Sequence, residues 1–375
     1  MPDMTRTIPQ CSPLAAYQAQ AADIDAAIRA TLEHGRYILG PRVEAFEQNF
    51  ARWVGSTHGL GVANGTDALC IALRALGVRE GDLVVTTSMS AVATAVAIRA
   101  AGAFPLFADV DDDHALIDPE QVEALFATHR DRIKAIVPVH LYGRCADMGA
   151  LDAIARQHGV PIVEDCAQAH GARWEGRVAG TIGAFGSFSF YPTKNLGAIG
   201  DGGALVTNDA ELRERARLLR EYGWRTRYIS DVEGGNSRLD ELQAAILDVK
   251  LPRLDADNDA RRRIAALYRD GIDNAHVRIF RGRDDGHVYH QFVVRAADRD
   301  GLQAHLAERG VGSLVHYPAA IHEQPAYNNA AYQPRPLART EGWAATVLSL
   351  PMFPQLPTED VARVIDAVNG WAGPR

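Results

Sequence analysis

Residues 83–110 read LVVTTSMSAVATAVAIRAAGAFPLFADV. An apolar run of strand length, LVVTT (83–87), is followed by SAVATAVAIRAAG (90–102), whose apolar residues recur at helical spacing, and then by a second apolar run, PLFADV (105–110). Two strands joined through a helix run parallel, and strands this uniformly apolar are covered on both faces. The alternation continues on either side. AIVPVHL (135–141), PIVED (161–165), GSFSF (186–190) and GALVT (203–207) are expected strands. TDALCIALRAL (66–76), PEQVEALFATH (119–129), DMGALDAIARQHG (147–159) and AELRERARLLREYG (210–223) are expected helices. The result is an α/β domain with a largely parallel sheet, whose ligands bind at the carboxyl ends of the strands. The tight succession of GSFSF and GDGGALV predicts that this pair is antiparallel.

Residues 238–269 form a long amphipathic helical tract interrupted at Pro252 and lead to a second unit. It holds the strand-like HVYHQFVVR (287–295), the helix RDGLQAHLAERG (299–310) and a closing helix in TEDVARVIDAVNGW (358–371). The expected division is a large domain over 1–250, including an N-terminal arm and the helix AADIDAAIRATLEHG (21–35), and a small α+β domain over 251–375.

With 47% hydrophobic and 23% charged residues, the 375-residue chain is globular rather than disordered. Its 39 basic and 47 acidic side chains leave a net charge of −8 with no basic block, so nucleic acid is not an expected partner. No run of eighteen apolar residues occurs, and MPDMTRTIPQ lacks the apolar stretch of a secretion signal; no membrane association and a cytoplasmic location are expected. Cys11, Cys70, Cys145 and Cys166 are far apart, which fits reduced packing thiols. His287 and His290 sit three apart in a strand-like run and point to opposite faces, so no metal site is expected.

Only three of the 39 basic residues are lysines: Lys134, Lys194 and Lys250. A lysine amine can lose its proton and attack a carbonyl, whereas an arginine cannot, so a chemical need for a free amine resists replacement by arginine. Lys134 and Lys250 are expected in solvated places beside a strand and a helix. Lys194 lies in GSFSFYPTKNLGAIGDGGALV, where Asp201 is the only other charge.

Three further features gather near the same sheet edge. Gly65, Thr66 and Asp67 open an apolar-periodic helix after Asn64, so their backbone N–H groups and the Thr66 hydroxyl form an anion site; an ordinary helix cap at Thr66 or Asp67 would account for the same residues. Asp165 ends the strand PIVED. Ser189 ends the next strand, just before Lys194. An anion cradle, a buried acid, a hydroxyl and an isolated lysine together suit pyridoxal 5'-phosphate: the lysine bonds to the aldehyde, Thr66 and Ser189 hold the phosphate, and the acid keeps the pyridine nitrogen protonated. His140 and His170 are expected to satisfy local backbone groups.

NGTDAL (64–69), PVHLYG (138–143), VEDCAQAHGA (163–172), FSFYPTKNLGAIGDGGALVTND (188–209), GGNSRLDELQAAIL (234–247) and HYP (316–318) occur in this order. In them the chain resembles the sugar aminotransferases of the DegT/DnrJ/EryC1/StrS group. The resemblance implies the aspartate-aminotransferase-like fold type I, with a mixed, mostly parallel seven-stranded sheet. It implies Lys194 as the Schiff-base lysine, Asp165 as the pyridinium partner, Gln168 on the ring hydroxyl, and Ser189 with Thr66 on the phosphate. Asn236 matches the residue that reaches the phosphate from a neighbouring subunit, so a homodimer with shared sites follows. Tyr191, Tyr222, His316 and Tyr317 are implied contacts to a nucleotide-linked sugar. The family often stacks an aromatic residue on the cofactor; the corresponding stretch here is Thr87-Ser88-Met89-Ser90-Ala91, and Met89 offers a polarisable sulfur instead.

The implied activity is a ping-pong transamination in which glutamate converts the cofactor to pyridoxamine 5'-phosphate, which then aminates a nucleotide-linked keto-deoxysugar. FYPTKNLGAIGDGG and REYGWR (220–225) look closer to the branch acting on 3-keto sugars than to that acting on 4-keto sugars. A family dehydratase would carry histidine at position 194. A non-catalytic cofactor-binding regulator would not need Asp165, Gln168 and Lys194 together.

Overall fold

The structure is a computed structural model and describes residues 7–280, 286–329, 332 and 335–374. In chain order its strands are β1 (His58–Val62), β2 (Leu83–Thr87), β3 (Phe104–Ala108), β4 (Ile133–Val137), β5 (Val163–Asp165), a small hairpin of β6 (Arg173–Trp174) and β7 (Arg177–Val178), then β8 (Phe185–Ser189) and β9 (Gly203–Thr207). Two ladders, β1-β9-β8-β5 and β3-β2-β4, make up the main sheet. They meet through single bridges, Ile136 to Ile162 and Val139 to Asp165. Pro138 and Pro161 have no N–H to give, so pairing there rests on a few bonds, Asp165 N–H to Pro138 O (2.9 Å), His140 N–H to Asp165 O (3.0 Å) and Ile136 N–H to Pro161 O (3.0 Å). The order is thus β1-β9-β8-β5-β4-β2-β3. The pair β8–β9 is antiparallel, as expected, and β9 alone runs against the rest.

Alternate side chains enter opposite cores. On β9, Leu205 joins a cluster with Leu69, Ala72 and Phe185 under the helices Gly65–Ala75 and Ala93–Ala100. Ala204 and Val206 join Phe46, Phe50, Phe188 and Phe190 on the other face. Phe46 and Phe50 stack on each other (5.6 Å), and Phe50 meets Phe188 (5.0 Å) and Phe190 (5.3 Å) edge-on. Phe46 and Phe50 belong to the helix Pro41–Val54, which the sequence reading did not assign.

The C-terminal unit is built on an antiparallel pair. After the hairpin of β10 (Trp224–Thr226) and β11 (Ile229–Ser230) come β12 (Phe292–Arg295) and β13 (Val347–Leu350), packed with the helices Leu254–Gly271, Arg299–Glu308 and Thr358–Asn369. The strand expected over 287–295 is confined to its last four residues. His287 and His290 lie in the irregular approach, where His287 Nδ1 accepts from Tyr289 N–H (2.9 Å) and His290 Nδ1 meets Asn195 Oδ1 (3.1 Å). The arm folds back onto this unit: Ile8 is buried in its core, bridges Val311, and is followed by a bond from Met352 N–H to Gln10 O (2.9 Å). No described helix is long and apolar enough to cross a membrane.

Candidate active site

The helix Gly65–Ala75 begins with its N-terminus against the end of β8. A Cβ on Gly65 would come within 2.7 Å of Ser189 Cβ, so only glycine lets the two segments close into one cradle. The cap is Asn64, whose Oδ1 accepts the Asp67 N–H at 2.8 Å. This corrects the expectation that Asp67 offers a donor to a ligand, because its N–H is already spent. It also removes the capping explanation for Thr66, the residue next to Gly65, where the helix N-terminus meets Ser189. Positive helix-end potential and neutral donors suit a phosphate.

Asp165 ends β5 at the sheet's carboxyl edge and is buried. Its Oδ2 accepts from Thr94 Oγ1 (2.9 Å) and its Oδ1 from Ala167 N–H (3.1 Å). Burial nevertheless raises its pKa, against the opposing pull of those bonds and of Lys194. A buried carboxylate in that condition favours a cation beside it, which a protonated pyridine nitrogen supplies. Thr94 was not singled out from the sequence, although Ser90 and Thr94 stand one helical turn apart, with their hydroxyls 3.0 Å from each other.

Gln168 is held at both ends, Oε1 accepting from Tyr142 N–H (2.7 Å) and Nε2 donating to Tyr317 Oη (3.1 Å). Tyr142 presents that N–H from a left-handed backbone, φ 59°, which nothing in PVHLYG announces. Tyr317 arrives from the C-terminal unit, and burial together with the Asp165 charge pushes its pKa up to about 12. His316 beside it bonds Ser349 Oγ at 2.9 Å, with its pKa pushed down to about 4 by burial and the nearby Lys194. Met89 is buried with Tyr142 and Trp343, and Tyr317 packs against the same cluster.

Lys194 sits in a turn closed by its own N–H to Tyr191 O (2.8 Å). Burial drives its pKa down to about 8, with Asp165 acting in the opposite direction. Lys250 does not fit the expected solvated place: its amine donates to Gly197 O, and burial pushes its pKa to about 8 as well. His140 behaves as expected toward the backbone, Nδ1 accepting from Ala146 N–H (3.1 Å), which leaves Nε2–H to donate to Glu164 at 3.0 Å. His170 is buried against Phe188 and Phe190, with the Ser189 backbone as its polar neighbour.

Gly65, Thr66 and Ser189 are therefore brought together, as are Asp165, Gln168 and Tyr317. Tyr191 is 53% exposed. Tyr222 lies tilted against Trp224 (4.7 Å), and Asn236 is exposed on a loop that bridges Glu221 and whose Ser237 Oγ accepts from Ala63 N–H (3.0 Å), just before the cap Asn64. The donor set fits pyridoxal phosphate: a cradle for the phosphate, a buried acid for the ring nitrogen and an amine poised near neutrality. Thr66→Val is expected to weaken uptake of pyridoxal phosphate about tenfold, the worth of one hydrogen bond to a charged group. Titration of the cofactor-free protein, read by absorbance, checks this; unchanged affinity would remove Thr66 from the cradle.

Residues 18–369 match the model of the DegT/DnrJ/EryC1/StrS aminotransferase family. The chain is 46% identical over 370 residues to a dTDP-3-amino-3,4,6-trideoxy-alpha-D-glucose transaminase of Streptomyces venezuelae, covering 98% of this chain and 97% of that one. It is 45% identical to a dTDP-3-amino-3,6-dideoxy-alpha-D-galactopyranose transaminase of Aneurinibacillus thermoaerophilus, covering 93% and 95%. Among solved structures, S. venezuelae DesV in complex with a ketimine intermediate superposes with a TM-score of 0.94 at 45% identity, covering 99% of this chain and all of that one. The chain belongs to the DegT/DnrJ/EryC1/StrS family and is an aminotransferase of fold type I.

Proposed function

We propose that the protein is a pyridoxal-phosphate-dependent transaminase that moves the amino group of glutamate to a nucleotide-linked 3-keto-deoxysugar. The observation that carries this reading is the full-length likeness to two transaminases named for 3-amino deoxysugars, combined with a lysine whose pKa lies near 8 opposite a buried Asp165.

When bound, the cofactor supplies an electron sink and a carrier for the amino group. The chain's own residues do the rest. Gly65, Thr66 and Ser189 would fix the phosphate end, and Gln168, locked between Tyr142 and Tyr317, would orient the ring hydroxyl. Asp165 would hold the proton on the ring nitrogen. Lys194 Nζ, with its pKa near working pH, would carry the proton between the substrate carbon that bears nitrogen and the cofactor's aldehyde carbon, in one direction in the donor half-reaction and in the other in the sugar half-reaction. Met89, Tyr142 and Tyr317 keep water from this corner. Asn236 and Tyr222 would serve a neighbouring subunit's site in a homodimer; the hairpin next to them exposes Tyr228 (73%) and Ile229 (60%), apolar surface suited to a second copy.

Incubation with glutamate and either 3-keto or 4-keto nucleotide deoxysugars tests the reading. The expected result is an amine at C3 with one 2-oxoglutarate released per amino sugar. Amination of the 4-keto sugar alone would replace the regiochemistry, and no turnover with any amino donor would favour a binding protein.

A further inference from the structure

Just past the end of β2 a hydroxyl, an imidazole and a carboxylate meet. Ser88 is fully buried, and His322, in the segment that runs on from His316 and Tyr317, is 5% exposed. Ser88 Oγ lies 2.8 Å from His322 Nδ1 and accepts the His322 N–H at 3.0 Å, while the Ser88 carbonyl accepts the Ile321 N–H at 3.0 Å. On the other side of the ring, His322 Nε2 is 3.2 Å from Glu341 Oε1, which also takes the Leu337 N–H (2.9 Å). With its oxygen already accepting a backbone N–H, Ser88 gives its one proton to Nδ1, so Nε2 carries the ring proton and donates it to Glu341. These are the residue types of a hydrolytic triad, but the hydroxyl has no access to solvent and its proton is spent. The arrangement fastens rather than attacks. Glu341 stands on the helix Ala338–Thr346, whose start is held beside the end of β3: Asp109 Oδ1 accepts from Thr340 N–H (2.9 Å) and Thr340 Oγ1 (2.7 Å). β2 is the strand paired with β3, so His322 spans two posts that are both tied to the sheet.

We propose that His322 is a positioning residue for the acceptor sugar: clasped between Ser88 and Glu341, it sets where the 316–322 segment stands beside Gln168. The inference rests on the sugar-transaminase reading above and adds what fixes this wall of the site. The segment reaches the site at its other end, where Tyr317 Oη accepts from Gln168 Nε2 (3.1 Å), His316 lies within the influence of the Lys194 charge and Tyr317 within that of Asp165. A loop that enters a site from another unit keeps its place only as well as its anchors hold, and a side chain locked by packing and hydrogen bonds is the precise kind of anchor. Two observations make the sugar, rather than glutamate, the substrate affected. Gln168 keeps a second hold, from Tyr142 N–H (2.7 Å), so it stays in place when Tyr317 shifts. Asp165 takes its hydrogen bonds from Thr94 (2.9 Å) and Ala167 N–H (3.1 Å), both outside the segment. The groups that serve both half-reactions are thus held independently of His322. A nucleotide-linked sugar is also much larger than glutamate and extends farther from the lysine, where a wall contributed by the C-terminal unit bears on it.

The two half-reactions can be followed separately by absorbance on the holoenzyme, with glutamate added to the pyridoxal form and a dTDP-linked 3-keto-6-deoxyhexose added to the pyridoxamine form. Ser88→Ala and His322→Phe are each expected to raise the half-saturating keto-sugar concentration about tenfold, the worth of a buried hydrogen bond left unmade. The half-saturating glutamate concentration should stay within about twofold, because single-turnover rates report each half-reaction by itself. His322→Asn, whose Oδ1 can still accept from Ser88, should recover most of the loss seen in His322→Phe. Joining Ser88→Ala to His322→Phe should add little, since both remove the same bond. Equal losses in the two half-reactions would overturn the proposal and mark a bond that serves the fold alone, and so would full keto-sugar affinity in Ser88→Ala. If His322→Phe fails to fold, Ser88→Ala, which removes only a hydroxyl, decides. A wild-type holoenzyme that accepts the amine of glutamate but aminates no keto sugar overturns the sugar reading itself, and this wall with it.

Discussion

Transamination is expected to fall by about three orders of magnitude or more in Lys194→Ala, the combined worth of a nucleophile and a general base. Lys194→Arg should fall as far although it keeps the charge, because a guanidinium stays protonated at any working pH. The argument comes from where the amine sits. Burial has lowered its pKa to about 8, so near neutrality a substantial fraction is unprotonated, against almost none for a lysine at its ordinary 10.5. The sign is fixed: desolvation penalises the cation, and Asp165 only partly restores it. Uptake of pyridoxal phosphate by the cofactor-free protein should therefore speed up about tenfold per pH unit below pH 8 and level off above it. Stopped-flow absorbance measures that profile, and borohydride treatment of the holoenzyme followed by peptide mapping locates the bond. An alanine variant that turned over at the wild-type rate, or label found at Lys250 instead, would end the assignment. Lys250 is the right control, since its pKa is lowered to the same degree.

Lys194 was legible because lysine is scarce in this chain and because its neighbours are nearly uncharged, a chemical signal that needs no structure. Strands of high β-propensity, such as Leu83–Thr87 and Gly203–Thr207, fall where the pattern puts them, as does the helix Pro119–His129 with Asp118 as its cap. β1 was not assigned. HGLGV carries two glycines, and what holds it is remote: pairing with β9, Glu47 Oε1 accepting from Gly61 N–H (2.7 Å), and Arg220 donating to Gly61 O (3.0 Å). The helix Pro41–Val54 could have been found from Val43, Phe46, Phe50 and Val54 between Pro41 and Gly55. Its N-terminal N–H groups, by contrast, are satisfied by Glu241, which accepts from Gly40, Arg42 and Val43 across about 200 residues of chain. In the site, residue types could be read but their partners could not. Asp165 was evident at a strand end, whereas Thr94 and the left-handed Tyr142 that hold the acid and Gln168 in place are set by tertiary packing.

Two consecutive acids, Glu164 and Asp165, should answer substitution in opposite ways. Successive residues of a strand face opposite sides of the sheet, and the two environments differ accordingly. Glu164 is fully buried, and burial alone would raise its pKa. The hydrogen bond from His140 and the N–H groups of Gly183 and Gly180 outweigh that and bring it below its ordinary value. Its oxygens also take Ile182 N–H (2.7 Å), so one carboxylate fastens the loop 180–183 to β5. A lowered folded pKa means stability that is present above the unfolded value of about 4.5 and lost as pH falls through the folded one. Asp165 has the reverse shift: its ionised form is disfavoured by folding, and the folded protein gains relative stability as pH falls through its raised pKa. Glu164→Gln is thus expected to destabilise the protein by about 3 kcal/mol, the cost of breaking a buried pair and leaving its partners unmatched. Asp165→Asn, which keeps an acceptor for Thr94 while removing the disfavoured charge, should unfold at the same or a higher urea concentration. Its turnover should nonetheless fall by about a hundredfold or more, since the ring nitrogen loses the anion that holds its proton. Urea melts beside single-turnover rates separate the two roles. A destabilised Asp165→Asn with normal turnover would show that the acid serves the fold, and a Glu164→Gln as stable as the wild type would show that the loop needs no anchor. The pair illustrates how a fold sets chemistry apart from structure: the carboxylate surrounded by donors stabilises the sheet, and the one left short of them is ready for a cation from outside the chain.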